Sequence, residues 1–273
     1  MRKRMILMLC MILVLGGCKK ESDNTGVYYQ KISEYEVGQV YNSMALYMCE
    51  LLYYNGKIYT STMHYRETEK EDLDCDTILG DEIGNVFGNH YVFWATDEDK
   101  LAANTGEGKI YQINGYDEDF RIAVYYEAYH ETLLPPETSY NVVVFERLND
   151  ITLHRGDELF EDRLHLSESA TVRSDTKEEG VWNELSAEDA AIKEFLDAMN
   201  DGVFLNTQDE EYLSLGSLQG YPLSFCDSLG LVTKIMVYEE GYVSMEQRGG
   251  KAFVLKMDAD KCESILEKMY FGE

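Results

Sequence analysis

Apolar residues follow three different patterns along this chain, and each marks a different kind of segment. Over residues 5–15 they run unbroken for eleven positions. Between residues 46 and 257 they come mostly in short bursts rich in Tyr, Val and Ile, as half-buried strands require. In two places, just before Gly202 and close to the C-terminus, they recur at helical spacing.

The strand-like bursts predict most of the architecture. Residues 46–54 and 57–64 flank Asn55-Gly56, a dipeptide that accepts the positive φ angles of a type I′ turn, so a β-hairpin is expected. Further strands are expected over 109–114, 120–127 and 140–147, with 130–139 as a loop carrying Pro135 and Pro136. Ile78, Ile83, Val86 and Phe87 fit one face of a helix, but Gly80, Gly84 and Gly88 interrupt it, and the pattern leaves that stretch undecided. Residues 167–184 are polar and aperiodic.

After them Ser186 and Asp189 form a capping pair, and Ile192, Phe195, Leu196 and Met199 make an apolar helical stripe that Asn200-Asp201-Gly202 ends. Strands over 221–226, 231–238, 242–247 and 251–257 follow, split by glycine-bearing turns. Asp258 then caps a last helix reaching Met269. The expected class is α+β, with antiparallel β-sheets and few helices.

Its expected divisions are a leader (1–17), a tether (18–26), a Tyr-rich β-dominated subdomain (27–166), a polar linker (167–185) and a helix-meander-helix subdomain (186–273). Arg-Ile-Ala-Val-Tyr-Tyr-Glu-Ala-Tyr at 121–129 aligns without gaps on Lys-Ile-Met-Val-Tyr-Glu-Glu-Gly-Tyr at 234–242. Two similar subdomains arising by duplication would produce that echo, and so would two strands of like composition.

Charge narrows the partners. With 24 Lys plus Arg against 51 Asp plus Glu, the net charge is −27. Such a body repels phosphate backbones and anionic headgroups, which disfavours nucleic acid as a partner and requires any membrane attachment to come from something other than charge.

The N-terminus supplies that attachment. Arg2, Lys3 and Arg4 precede the apolar run, whose eleven residues span about 16 Å as a helix, short of the ~30 Å hydrocarbon core. It reads as a signal-peptide core and not as a membrane span. Leu15-Gly16-Gly17-Cys18 resembles the lipobox of bacterial lipoproteins. The resemblance implies cleavage between Gly17 and Cys18, a diacylglyceryl thioether on Cys18, and an anchor on the outer face of the cell membrane. Two acyl chains hold durably where one does not, and Lys19 and Lys20 then lie beside the headgroups.

The mature chain has a second likeness. Tyr54-Asn55-Gly56-Lys57-Ile58-Tyr59-Thr60, the block at 110–117, and Phe120-Arg121-Ile122-Ala123-Val124 resemble uncharacterised lipoproteins of Gram-positive bacteria, which implies the same class and carries no activity or ligand.

Cys10 leaves with the leader, and Cys49, Cys75, Cys226 and Cys262 remain. Bridges Cys49–Cys75 and Cys226–Cys262 would each stay within one half. Against the second, Cys262 shares a helical stripe with Ile265, Leu266 and Met269, where a small buried thiol fits.

Catalytic motifs are incomplete. Gly216-Ser217-Leu218-Gln219-Gly220 has its serine in the wrong place for a nucleophile elbow. Gly106-Glu107-Gly108-Lys109 runs into Ile110 where a phosphate loop needs Ser or Thr. Asp72-Leu73-Asp74-Cys75-Asp76 begins like a calcium loop but has Thr77 at the glycine position and Ile83 at the bidentate glutamate. His64, His90, His130, His154 and His165 show no paired ligand spacing, so no metal, no cofactor and no catalytic residue is assigned.

Tyrosine is the more informative residue, with 16 of 21 lying before residue 150. It enriches both half-buried strands and binding surfaces. Tyr53, Tyr59, Tyr111 and Tyr125 are the expected binding surface. The function expected is therefore a membrane-anchored, non-catalytic interaction module for an envelope protein, peptide or glycan. The alternatives are an envelope hydrolase working through carboxylates and a solute-binding component of a transporter.

Overall fold

A computed structural model describes residues 26–30, 51–67, 75–89, 92–95, 107–132, 135–175, 182–245 and 252–271. The fold is mostly antiparallel β-sheet, with short helices. Among the described residues no helix is long and apolar enough to cross a membrane.

A short strand β1 (Val27–Tyr29) comes first, followed by seven strands that close into a barrel. These are β2 (Leu51–Tyr54), β3 (Lys57–Glu67), β4 (Leu79–Asn89), β5 (Val92–Ala95), β6 (Glu107–Ile113), β7 (Arg121–His130) and β8 (Glu137–Glu146). A single helical turn, α1 (Cys75–Ile78), leads into β4. Around the barrel the order is β2-β3-β8-β7-β6-β4-β5. Every pairing is antiparallel except the closure, where β2 runs parallel to β5.

The expected hairpin forms, with Asn55 at φ 50° and Gly56 at φ 75°, both in the left-handed region a type I′ turn demands. Alternation sorts side chains between lumen and outer wall. Leu52 pairs with Tyr59, Ile122 with Phe145 and Val124 with Val143, and these six fill the lumen with Val86 and Ile110. Each such burial contributes about 1.5–3 kcal/mol, and a barrel this narrow is a packed core and not a channel.

The second half begins with β9 (Ile151–Leu153), which pairs with β1, and α2 (Asp157–Phe160). It continues through β10 (Thr171–Asp175), β11 (Trp182–Ser186), α3 (Ala190–Asp201), β12 (Val203–Phe204), α4 (Glu210–Ser214), β13 (Tyr221–Cys226), β14 (Val232–Tyr238), β15 (Tyr242–Met245), β16 (Phe253–Lys256) and α5 (Ala259–Leu266). Its sheet has the order β11-β10-β13-β14-β15-β16-β12.

Helices α3 and α5 cover one face. Ile192, Phe195, Leu196 and Met199 are buried as the helical stripe predicts, and Cys262, Ile265, Leu266 and Met269 join them against the sheet. Asp258 caps α5 by accepting from the Asp260 amide.

Several sequence expectations are corrected. The cap of α3 is Asp189, accepting from the Ala191 amide, while Ser186 ends β11. Residues 167–185, expected as a linker, carry β10 and most of β11. Val172 and Ser174 point inward there, and the Ser174 hydroxyl donates to the Met269 carbonyl, so a polar side chain serves the core by satisfying a helix end. The undecided stretch is the strand β4, entered through α1. Its pairing with β6 shifts register twice, between Leu79 and Glu82 and between Glu82 and Gly84, and at Gly84 a β-carbon would lie in contact with Tyr54 and Ile110 at 3.6 Å.

The loop expected over 130–139 shrinks, because β7 extends to His130 and β8 starts at Glu137. Val27 and Tyr29 pack in the core of the second half, not in the barrel. Cys226 and Cys262 are free thiols, so the bridge between them does not form.

Candidate functional site

The register of the barrel decides which tyrosines meet. Tyr59 points into the lumen, where it is buried and its hydroxyl donates to the Glu118 carbonyl at 3.2 Å. Burial, reinforced by the nearby Asp119 carboxylate, holds its phenol well above the usual range. Tyr53 points outward on β2. Tyr111 and Tyr125 point outward on adjacent strands, since Tyr125 faces Lys109 and Tyr111 faces Ala123. Two strands separate β2 from β7 in one direction and three in the other, so Tyr53 lies on a different wall. The four candidates therefore do not form one surface. Tyr59 is a core residue, and only Tyr111 and Tyr125 are neighbours.

The wall carrying that pair has tyrosines the sequence did not single out. One row across β3, β8, β7 and β6 reads Tyr65, Val142, Tyr125, Lys109, and the next reads Glu67, Tyr140, Glu127. Tyr129 extends the strip along β7 and is 63% exposed. The hydroxyl of Tyr125 donates to Glu127 at 2.9 Å, and burial together with that carboxylate raises its phenol pKa. The strip is assembled by the register of β3, β8, β7 and β6, which alternation within any one strand does not reveal.

The same wall docks the second half. Leu229 and Leu231, between β13 and β14, pack on Ala123, Val142 and Val144. The Tyr65 hydroxyl donates to the Gly230 carbonyl at 3.2 Å, and the Val232 amide to the Met63 sulfur at 3.1 Å. Burial pushes the Tyr65 phenol up to about 12.

At the end of this seam Arg121 and Glu146 form an ion pair whose side chains are 1% and 2% exposed. The guanidinium lies 4.2 Å from the centre of the Tyr116 ring, and the Tyr116 hydroxyl donates to Asp227 at 2.7 Å. Asp227 in turn accepts from the Leu229 and Leu231 amides. Burial works against the Arg121 charge, but Glu146, Tyr116 and Asp227 outweigh it and its pKa rises. A chain of polar contacts thus joins barrel to sheet. Its sequence signal was a lone Arg inside Phe120-Arg121-Ile122-Ala123-Val124 and a Glu closing Val142-Val143-Val144-Phe145-Glu146.

A concavity of about 360 Å³ lies where the loop before β7 meets α2. Asp117, Asp119, Glu158 and Asp162 line it with Arg163 and His165. Three of the four carboxylates have structural duties. Asp119 pairs with Lys57, Asp117 accepts from the Asp119 amide, and Glu158 accepts from the His154 amide. Among the described residues no group of three or more His, Cys, Asp or Glu is arranged to hold a metal ion.

Gly17, Cys18 and Cys49 lie outside the described residues, as do residues 72–74 of the calcium-loop comparison. No protein-family model, curated protein or solved structure matches the chain.

Proposed function

We propose that the protein is a lipoprotein of the cell envelope, anchored on the outer face of the membrane through Cys18, that binds a neutral or cationic envelope protein, peptide or glycan without turning it over. The observation that carries this reading is the tyrosine strip. The lumen is filled by its own side chains, so the barrel meets a partner from outside. On one outer wall Tyr111, Tyr125, Tyr140 and Tyr129 lie together with Glu67 and Glu127 among them. Tyrosine supplies contact area with a polar tip at low entropic cost, and the surrounding negative charge favours a cationic surface.

The test measures binding of the chain from residue 19 onward to isolated wall glycan and to a cationic peptide. Capture that weakens with rising salt, and weakens at least tenfold further in Tyr111→Ala and Tyr125→Ala but not in Tyr53→Ala, supports the reading. Binding indifferent to both salt and those substitutions overturns it. The alternative of a carboxylate hydrolase draws on the acidic concavity, where Asp162 is the one lining carboxylate without a side-chain partner among the described residues. Hydrolysis of a wall glycan or peptide that is lost in Asp162→Asn would favour it.

A further inference from the structure

The concavity between the loop before β7 and α2 leaves charge of both signs unpaired. Its volume of about 360 Å³ falls in the range of small-molecule sites, and Phe120 and Leu153 make part of its lining apolar.

Arg163 is the unusual member of that lining. Nearly every other described lysine and arginine stands in an ion pair, as a chain of net charge −27 makes easy. Arg163 is half-buried and pairs with no carboxylate among the described residues, although four line the same concavity. Its guanidinium carbon lies instead 6.0 Å from the centre of the Phe120 ring. A guanidinium presents its N–H donors in a rigid fork that fits a carboxylate, and here the fork is left open.

The acids outnumber it. Lys57 neutralises Asp119, but Asp117 accepts from a backbone amide, which brings no full charge, and Asp162 has no side-chain partner among the described residues. A bare cation would meet Arg163 as a like charge, and a simple anion would meet the two acids. A ligand with one carboxylate and two ammonium groups matches both signs and their proportion.

We infer that the concavity is a binding site for a basic amino acid, a diamino monocarboxylate of the lysine or ornithine type. Its carboxylate sits on Arg163, its ammonium groups on Asp117 and Asp162, and its methylene stem along Phe120 and Leu153. The inference is independent of the tyrosine strip, since Tyr111, Tyr125, Tyr129 and Tyr140 do not line the concavity. It concerns binding and requires no hydrolysis.

Isothermal titration on the chain from residue 19 tests it, because the described cores begin only at Val27. The probes are L-lysine, cadaverine, which lacks the carboxylate, and L-norleucine, which lacks the side-chain ammonium. The expected result is saturable binding of lysine, at least tenfold tighter than that of either other probe. Arg163→Gln should weaken lysine at least tenfold and leave cadaverine unweakened, whereas Asp162→Asn should weaken both. The comparison of probes on the wild-type chain decides the matter even where a variant fails to fold. No binding of lysine, cadaverine or norleucine bound as tightly as lysine, or lysine affinity unchanged by Arg163→Gln would overturn the assignment.

Discussion

Glu146→Ala is the perturbation that asks most of this structure. With both side chains almost fully excluded from water, removing the carboxylate leaves the Arg121 guanidinium buried and uncompensated. Breaking a buried pair in this way costs about 3–5 kcal/mol. Arg121 keeps the face of Tyr116 and the field of Asp227, which places the expected loss near the lower end, about 3 kcal/mol. Against the roughly 5–15 kcal/mol by which domains are stable, that is a large fraction.

Replacing both partners with apolar residues of similar volume, as in Arg121→Met/Glu146→Leu, removes the desolvation cost together with the attraction and should be neutral or stabilising. The assay is urea unfolding followed by tryptophan fluorescence. The chain has two tryptophans, Trp94 in β5 of the barrel and Trp182 in β11 of the sheet, so Trp94→Phe and Trp182→Phe backgrounds report the halves separately. Wild type should show coincident transitions, Glu146→Ala should lower both midpoints and separate them, and the double variant should restore coincidence. Losses below about 1 kcal/mol from Glu146→Ala and Arg121→Ala, with the two probes still coincident, would refute the view of the pair as the joint between the halves.

Three other outcomes are expected. Phe195→Ala should cost about 3–5 kcal/mol because that ring is 1% exposed in the core under α3, whereas Lys193→Ala on the exposed face should change the urea midpoint little. Asp189 is held below the usual carboxylate range, first by Lys268 and then by the Ala191 amide it caps. Its stabilisation is therefore complete above the unfolded-state value of about 3.9 and is lost as pH falls through the lower folded value, so Asp189→Ala should cost about 1 kcal/mol near neutrality and progressively less in acid, read by thermal melts across pH. Burial pushes the Cys262 thiol up to about 12, and Cys226 is also raised by burial. Both should therefore resist a thiol reagent at pH 8 in the folded protein and react on unfolding, as counted by mass spectrometry.

What the sequence displayed were features decided by neighbours in the chain. Asn55-Gly56 announces its hairpin through backbone conformation alone, and Asp258 and the Ile192–Met199 stripe announce helices through capping and period. Long-range pairing hides the rest. The parallel closure of β2 on β5 joins Leu51 to Val92 with no local signal. Strands β10 and β11 are polar because Arg173 pairs with Glu184 on their outer face while Ser174 and Asn183 satisfy the end of the C-terminal helix. The grouping of the tyrosines was hidden for the same reason. Composition enriched them, but only register could say that Tyr59 turns inward, that Tyr53 lies on another wall, and that Tyr65 and Tyr140 complete the strip.

The measurement that bears most directly on an anchored binding module is photo-crosslinking in cells producing the full chain, with a benzophenone amino acid placed at Tyr111, Tyr129 or Tyr53. Adducts to an envelope component are expected from Tyr111 and Tyr129, fewer or none from Tyr53, and they should be lost when Cys18→Ala removes the anchor. Equal adduct yields from Tyr53 and Tyr129, or yields from Tyr111 and Tyr129 that do not depend on Cys18, would contradict that role.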